Sequence, residues 1–177
     1  SVLANQAQEL RSTAKEGRVR LPIDRVFTIK GAGTVVTGTL WQGSVEPDME
    51  LEVVPSGILT RVRSVQVHGS DVQESLAGNR TALNLVSVKK VDLDPGDFLV
   101  TPGTLEASNR FDAQFTYLPA TSTQAKPLES GSTVHVAHGT REVTGRLLLM
   151  DGLSELAPGQ TAFAQIRLDV PLPVSRN

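Results

Sequence analysis

Cysteine is absent from all 177 residues, which removes disulfides and thiolate metal sites together. Aromatic residues are scarce, with five Phe, one Trp and one Tyr, so Val, Leu and Ile must supply the core. Charge of either sign is nearly balanced, leaving a formal net charge of −2. That exerts no global pull toward nucleic acid or an anionic membrane, and any nucleic-acid contact has to arise from a local patch. Long apolar runs, a signal-peptide core and lipidation motifs are missing, so the expectation is a soluble protein of the reducing cytoplasm with no membrane partner. Catalytic signatures are missing as well. The chain has no GxxxxGK(S/T) phosphate loop, no HExxH and no GxSxG elbow, and so offers no such cradle, zinc pair or nucleophile.

What the chain does have is β-strand and turn. The stretch RLPIDRVFTIKGAGTVVTGTLWQG, Arg20 to Gly43, organises the rest. Val26 to Lys30 and Thr34 to Trp41 have strong β-propensity. Gly31-Ala32-Gly33 between them is too short for a helix and supplies positive φ, so a tight antiparallel hairpin is expected. Gly38 interrupts the second strand, as glycine does at a bulge, a barrel corner or the close approach of another backbone. Ile23-Asp24-Arg25 sets an acid beside a base at the strand entrance, which makes the pair a first candidate for contact with a ligand.

Along the chain, residues 1–17 read as a short helix or linker, with Leu3, Ala7, Leu10 and Ala14 at helical spacing and Gly17 at its end. Residues 18–103 then carry at least six short strands. Glu46, Asp48, Glu50 and Glu52 alternate with Met49, Leu51 and Val53; Leu59 to Val67 carries Arg61 and Arg63; His68-Gly69-Ser70-Asp71 and Ala77-Gly78-Asn79 are loops; Asp94-Pro95-Gly96-Asp97 is a turn. Regularly spaced short strands without helices indicate a closed or nearly closed barrel. Pro102 to Asn109 is a linker. From 109 to 177 alternation resumes: Phe111, Ala113, Phe115 and Tyr117 on one face, strands at Thr133–His138 and Thr140–Met150, and a last strand with Ala162, Ala164, Ile166, Leu168 and Val170 inward before a closing Pro171-Leu172-Pro173 loop. The fold class is therefore all-β, two consecutive β-barrels, the second smaller and short of a final strand.

His135 and His138 stand three apart, which on a strand puts them on opposite faces, with no carboxylate near enough to complete a metal set. Arg11, Lys15, Arg18, Arg20, Arg25 and Lys30 against Glu16 and Asp24 leave an excess of about four positive charges, enough for several phosphate contacts or equally for a solvated face. The residues alone thus give two barrels with no catalytic set.

The pattern LPIDRVFTIKGAGTVVTG, Leu21 to Gly38, resembles the second domain of translational GTPases of the elongation factor Tu class. With RVRSVQVHG, AGNRTALNL and EVTGRLLL it is most similar to the selenocysteine-specific elongation factor (SelB) family, across essentially the whole chain. The resemblance implies the family's second and third domains, between an upstream GTPase domain that would hold GTP and magnesium and downstream winged-helix domains that bind mRNA. These barrels would then carry no enzyme activity and no cofactor, and their partners would be selenocysteinyl-tRNA and the ribosome. By the same resemblance Asp24, Arg25 and Arg80 would bind the selenocysteine moiety, and Phe27, Thr37, Gln66 and His68 would line the pocket for the tRNA 3′ end. A competing reading makes the barrels docking modules of another GTPase, and a third makes the chain a hydrolase working through His135 or His138.

Overall fold

A computed structural model describes residues 17–31, 33–119 and 126–174. The helix expected over residues 1–17 lies outside the described residues except at Gly17. Among the described residues all but one of the elements are strands, and the exception is a single 3-10 turn at Lys90–Asp92. The strands fall in two compact units, the first built on the chain up to Glu106 and the second on Ala107–His138 and Glu142–Val174.

In the first unit the strands are β1 (Arg20–Pro22), β2 (Arg25–Ile29), β3 (Gly33–Thr39), β4 (Ser44–Val45), β5 (Glu50–Val54), β6 (Ile58–Val67), β7 (Ser70–Val72), β8 (Ser75–Leu76), β9 (Arg80–Val86) and β10 (Phe98–Val100). The main sheet runs β1-β10-β5-β6-β9-β3-β2, with β7 added to β6. It curls until β1 meets the chain leaving β3: Arg20 N–H donates to Gln42 O at 3.1 Å and Trp41 N–H to Arg20 O at 2.8 Å. Closure leaves few unpaired edges and encloses an aliphatic core of Leu21, Ile23, Val36, Leu51, Val65, Leu83 and Leu99, each fully buried. Each such side chain contributes about 1.5–3 kcal/mol. Among the described residues Phe98 is the one aromatic side chain fully buried in this unit.

The expected β2–β3 hairpin is present, with Ile29 opposite Gly33 and with φ of +86° at Gly31 and +97° at Gly33. Two expectations change. The acidic strand begins only at Glu50, because Asp48 takes a left-handed φ of +68° that ends the preceding turn. The His68–Asp71 loop is shorter than expected, since Ser70 already pairs with Val67. His68 and Gly69 form a two-residue hairpin with φ of +52° and +79°, the positive-φ geometry that matches strand twist.

The second unit contains β11 (Ser108–Thr116), β12 (Leu128–Glu129), β13 (Ser132–His138), β14 (Arg141–Leu149), β15 (Glu155–Leu156) and β16 (Thr161–Leu172). Its sheet order is β11-β16-β14-β13, with β12 and β15 paired separately. Leu147, Ala164 and Leu172 are wholly buried. Here too the chain departs from expectation. β16 continues through Pro171 to Leu172, opposite Ser108, and its register with β11 shifts between Ser108 and Arg110. The irregularity turns Val170 outward, to 42% exposure, and brings Leu172 into the core in its place.

Gly38 shows why glycine is needed in β3. A Cβ there would lie 2.1 Å from Pro22 O and 2.7 Å from Leu21 Cδ2. Gly38→Ala is expected to destabilise the first unit by about 1–3 kcal/mol, as overpacking does. Chemical denaturation checks this, and an unchanged midpoint would show that the backbones can separate freely.

Candidate functional site

In antiparallel pairs, residues directly opposite each other share a face, and so do residues two apart on one strand. Arg25 on β2 is opposite Thr37 on β3, Thr37 is opposite Ala82 on β9, and Ala82 is opposite Gln66 on β6. That row crosses four strands. Beside it runs a second row of Phe27, Val35, Asn84 and Ser64, and Thr39 pairs with Arg80 on its other side. Between the first two rows, Val26, Val36, Leu83 and Val65 point into the core. Register therefore sets Arg25, Phe27, Thr37, Gln66 and Arg80 on one outward face, although as many as 55 positions separate them in sequence.

Asp24 joins this face through its backbone. The turn at Asp94–Asp97 grips the preceding residue on both sides: Ile23 N–H donates to Asp97 O at 2.8 Å and Gly96 N–H donates to Ile23 O at 2.8 Å. Asp24 N–H then donates to Thr37 O at 2.7 Å. Held there, the Asp24 carboxylate accepts a hydrogen bond from Arg80 Nη1 at 2.5 Å across β3. Arg80 keeps 55% of its side chain exposed and Asp24 21%. Arg25 is exposed and makes no side-chain hydrogen bond or ion pair among the described residues. The two arginines flank β3 on opposite sides, two strand spacings and two residues apart, or roughly 12 Å between Cα atoms. Thr37 and Thr39 form the floor between them.

The remaining candidates are placed as follows. Phe27 is half-buried on the outward face and is not part of the core. Gln66 Nε2 donates to Asp71 Oδ1 at 3.0 Å. His68 occupies the exposed turn after β6. Sequence reasoning missed Asn84. Its Oδ1 is buried without a hydrogen-bond partner, and so is Thr37 Oγ1, diagonally across the same face. An unmatched buried polar atom costs about 1–3 kcal/mol, so two on one face need an explanation. The available signal was an asparagine inside the otherwise apolar run of β9, ALNLV.

The Asp97 carboxyl in the gripping turn is itself buried. Burial pushes its pKa above the usual 3.8, against the opposing effect of the Asp94 N–H, which donates to its Oδ2 at 2.9 Å. In the second unit His135 and His138 do lie on opposite faces of β13, one exposed and one half-buried. One of them has a carboxylate beside it, which reading along the chain did not single out. His135 Nδ1 lies 2.7 Å from Glu142 Oε1, because the turn after His138 brings β14 back alongside β13.

Comparison with known proteins adds an independent line. Residues 33–100 match the family described as Elongation factor Tu domain 2, and residues 116–177 match the one described as Selenocysteine-specific elongation factor, beta-barrel domain. A selenocysteine-specific elongation factor of Desulfomicrobium baculatum is 43% identical over 93% of this chain and 26% of its own length. One from Haemophilus influenzae is 35% identical over 96% of this chain and 26% of its own length. An uncharacterized protein of Methanocaldococcus jannaschii is 30% identical over 72% of the chain and 40% of its own length. The chain thus spans about a quarter of the first two relatives.

Two outcomes are expected from this geometry. An exposed pair such as Asp24–Arg80 contributes about 0–1 kcal/mol to stability. A double-mutant cycle with Asp24→Asn and Arg80→Ala should therefore give a coupling below about 1 kcal/mol, and a larger value would make the pair a structural one. For Asp97 the native carboxyl holds its proton to higher pH than the unfolded one, so its contribution to stability falls as pH rises above 3.8 through the raised value. The Tm advantage of the parent over Asp97→Asn should shrink across that window. A difference independent of pH would contradict the assignment.

Proposed function

Since the chain belongs to the selenocysteine-specific elongation factor family, its two units being that family's β-barrel domains, we propose that the first barrel seats the aminoacylated 3′ end of selenocysteinyl-tRNA and reads the selenolate by its charge. The observation that carries this reading is the shared outward face, on which Asp24 steadies Arg80 while Arg25 stands across β3 with its donors uncommitted. A selenol is far more acidic than an alcohol, so at neutral pH selenocysteine presents an anion, whereas serine on the same tRNA presents a neutral hydroxyl. Guanidinium groups are permanently charged, multi-donor partners for such an anion.

Dielectric decides how much discrimination this supplies. A charge pair 4 Å apart is worth about 1 kcal/mol in water and about 4 kcal/mol at an effective dielectric of 20. With Arg80 half exposed in this chain, strong selection needs the seat to be covered by the tRNA end and by the rest of the factor. Once covered, serine leaves the guanidinium groups unmatched, and it is this penalty that makes a polar site selective. Thr37 and Asn84, with their unmatched oxygens, suit the donors of the part common to both tRNAs. Phe27, Gln66 and His68 border that part. In this reading the barrels bind and the GTPase domain hydrolyses; the whole factor delivers its tRNA to the ribosome in the cytoplasm, guided by its mRNA-binding domains.

The test uses a full-length factor carrying these barrels. Arg25→Ala and Arg80→Ala are expected to weaken selenocysteinyl-tRNA binding by tenfold or more, about 1.4 kcal/mol, while seryl-tRNA, relieved of an unmatched guanidinium, binds as well as before or more tightly. Asn84→Leu is expected to affect both tRNAs alike. Equal losses for both tRNAs in the arginine variants would mean generic phosphate contacts and overturn the charge reading.

A further inference from the structure

The turn that follows β14 has no part in the aminoacyl seat, and it holds a pair of residues found nowhere else in the chain. Asp151 precedes Gly152, whereas none of the other eight aspartates and no asparagine is followed by glycine. The pairing matters because a main-chain nitrogen can attack the carboxyl carbon of the residue before it. A side chain on the attacking residue crowds that approach, and glycine has none. Asp94, for comparison, precedes Pro95, which has no N–H. Asp97 precedes Phe98, which is 1% exposed.

The fold leaves this pair accessible. Both residues are exposed, with left-handed φ of +56° at Asp151 and +76° at Gly152, a conformation that disfavours residues with a Cβ. Leu153 N–H donates to Met150 O at 3.2 Å and closes the turn, and an exposed neutral hydrogen bond is a weak restraint. Neither the Asp151 carboxylate nor the Gly152 N–H has a hydrogen-bond or ion-pair partner among the described residues. A Cβ at Gly152 would meet nothing within 4 Å, so water reaches the nitrogen freely. Asp48 also takes a left-handed φ, +68°, but the next N–H, that of Met49, is already bonded to Glu46 O at 3.4 Å.

We propose that Asp151–Gly152 is a site of spontaneous covalent modification, at which aspartate converts to isoaspartate. Rotation about the Asp151 Cα–C bond brings the Gly152 nitrogen to Asp151 Cγ. The N–Cγ bond forms, a carboxyl oxygen leaves as water with the amide proton, and a cyclic imide results. Water then adds to either ring carbonyl. Breaking the N–Cγ bond restores aspartate. Breaking the bond from nitrogen to the main-chain carbonyl carbon leaves the chain running through Cβ and Cγ, with the α-carboxylate as a branch. One water is lost and one regained, and nothing is oxidised or reduced. The product carries one extra methylene in its main chain, in a turn whose ends are tied. Met150 N–H donates to Phe163 O at 2.9 Å, and Ser130 N–H donates to Ser154 O at 2.8 Å. The insertion must be absorbed between those ties, beside the buried Leu149 and Leu156, so conversion lowers the stability of the second unit. This chemistry is independent of the selenolate reading and of the family.

The experiment ages the 177-residue chain at neutral pH and body temperature in water enriched in heavy oxygen, then maps it by mass spectrometry. Trypsin cuts after Arg146 and Arg167, and the peptide between them contains Asp151 as its one aspartate. A second, later- or earlier-eluting form of that peptide should accumulate with time and carry heavy oxygen. It should resist a protease that cleaves before aspartate, and accept a methyl group from S-adenosylmethionine in the presence of an isoaspartate methyltransferase. Asp151→Glu, whose imide ring would be larger and slower to close, should yield no such form. The Tm of the parent should fall on ageing, while that of Asp151→Glu stays at its own fresh value. Absence of the second form, its appearance without heavy oxygen, equal isoaspartate at other aspartates, or an equal fall in Tm for the variant would each overturn the proposal.

Discussion

Closure of the first barrel depends on how Ile23 is held. Its N–H and C=O are both bound by the Asp94–Asp97 turn, and its side chain is fully buried. The next residue, Asp24, is tied to Thr37 through its own N–H. At the same level β3 has glycine, since Pro22 O stands where a Cβ at position 38 would need to be. The β1–β2 segment is thus pressed against β3 as closely as two backbones allow. A carboxylate that would otherwise swing in solvent is fixed over the strand to meet Arg80.

That placement separates stability from recognition. The core row of Val26, Val36, Leu83 and Val65 carries the hydrophobic free energy. The outward rows carry charge and unmatched polar atoms, which add little to stability or subtract from it. A face that loses stability through Thr37 Oγ1 and Asn84 Oδ1 is intelligible if a ligand supplies the missing partners.

Much of this was legible beforehand. Alternation from Phe111 to Tyr117 gave one strand, Thr133–His138 was read as another within a residue of its observed start, and glycine at 31 and 33 gave the hairpin turn. The resemblance supplied Asp24, Arg25 and Arg80 as a set. Illegible features were those that depend on a residue's opposite number. Nothing near His135 in sequence announces Glu142 as its neighbour. Val170 fits its strand's inward period and yet turns out at an irregularity. Asn84 reads as an ordinary strand residue until its oxygen is found without a partner.

The amino-acid sequence by itself determined the all-β class, the aliphatic core and the kinship with translation factors, because propensity, period and motif are local quantities that a linear reading can count. Only the tertiary structure decided which residues share a face. Pairing register is set by closure of the barrel, and a slip of one residue would have sent Arg25 and Thr37 into the core and left Val26 and Val36 in solvent.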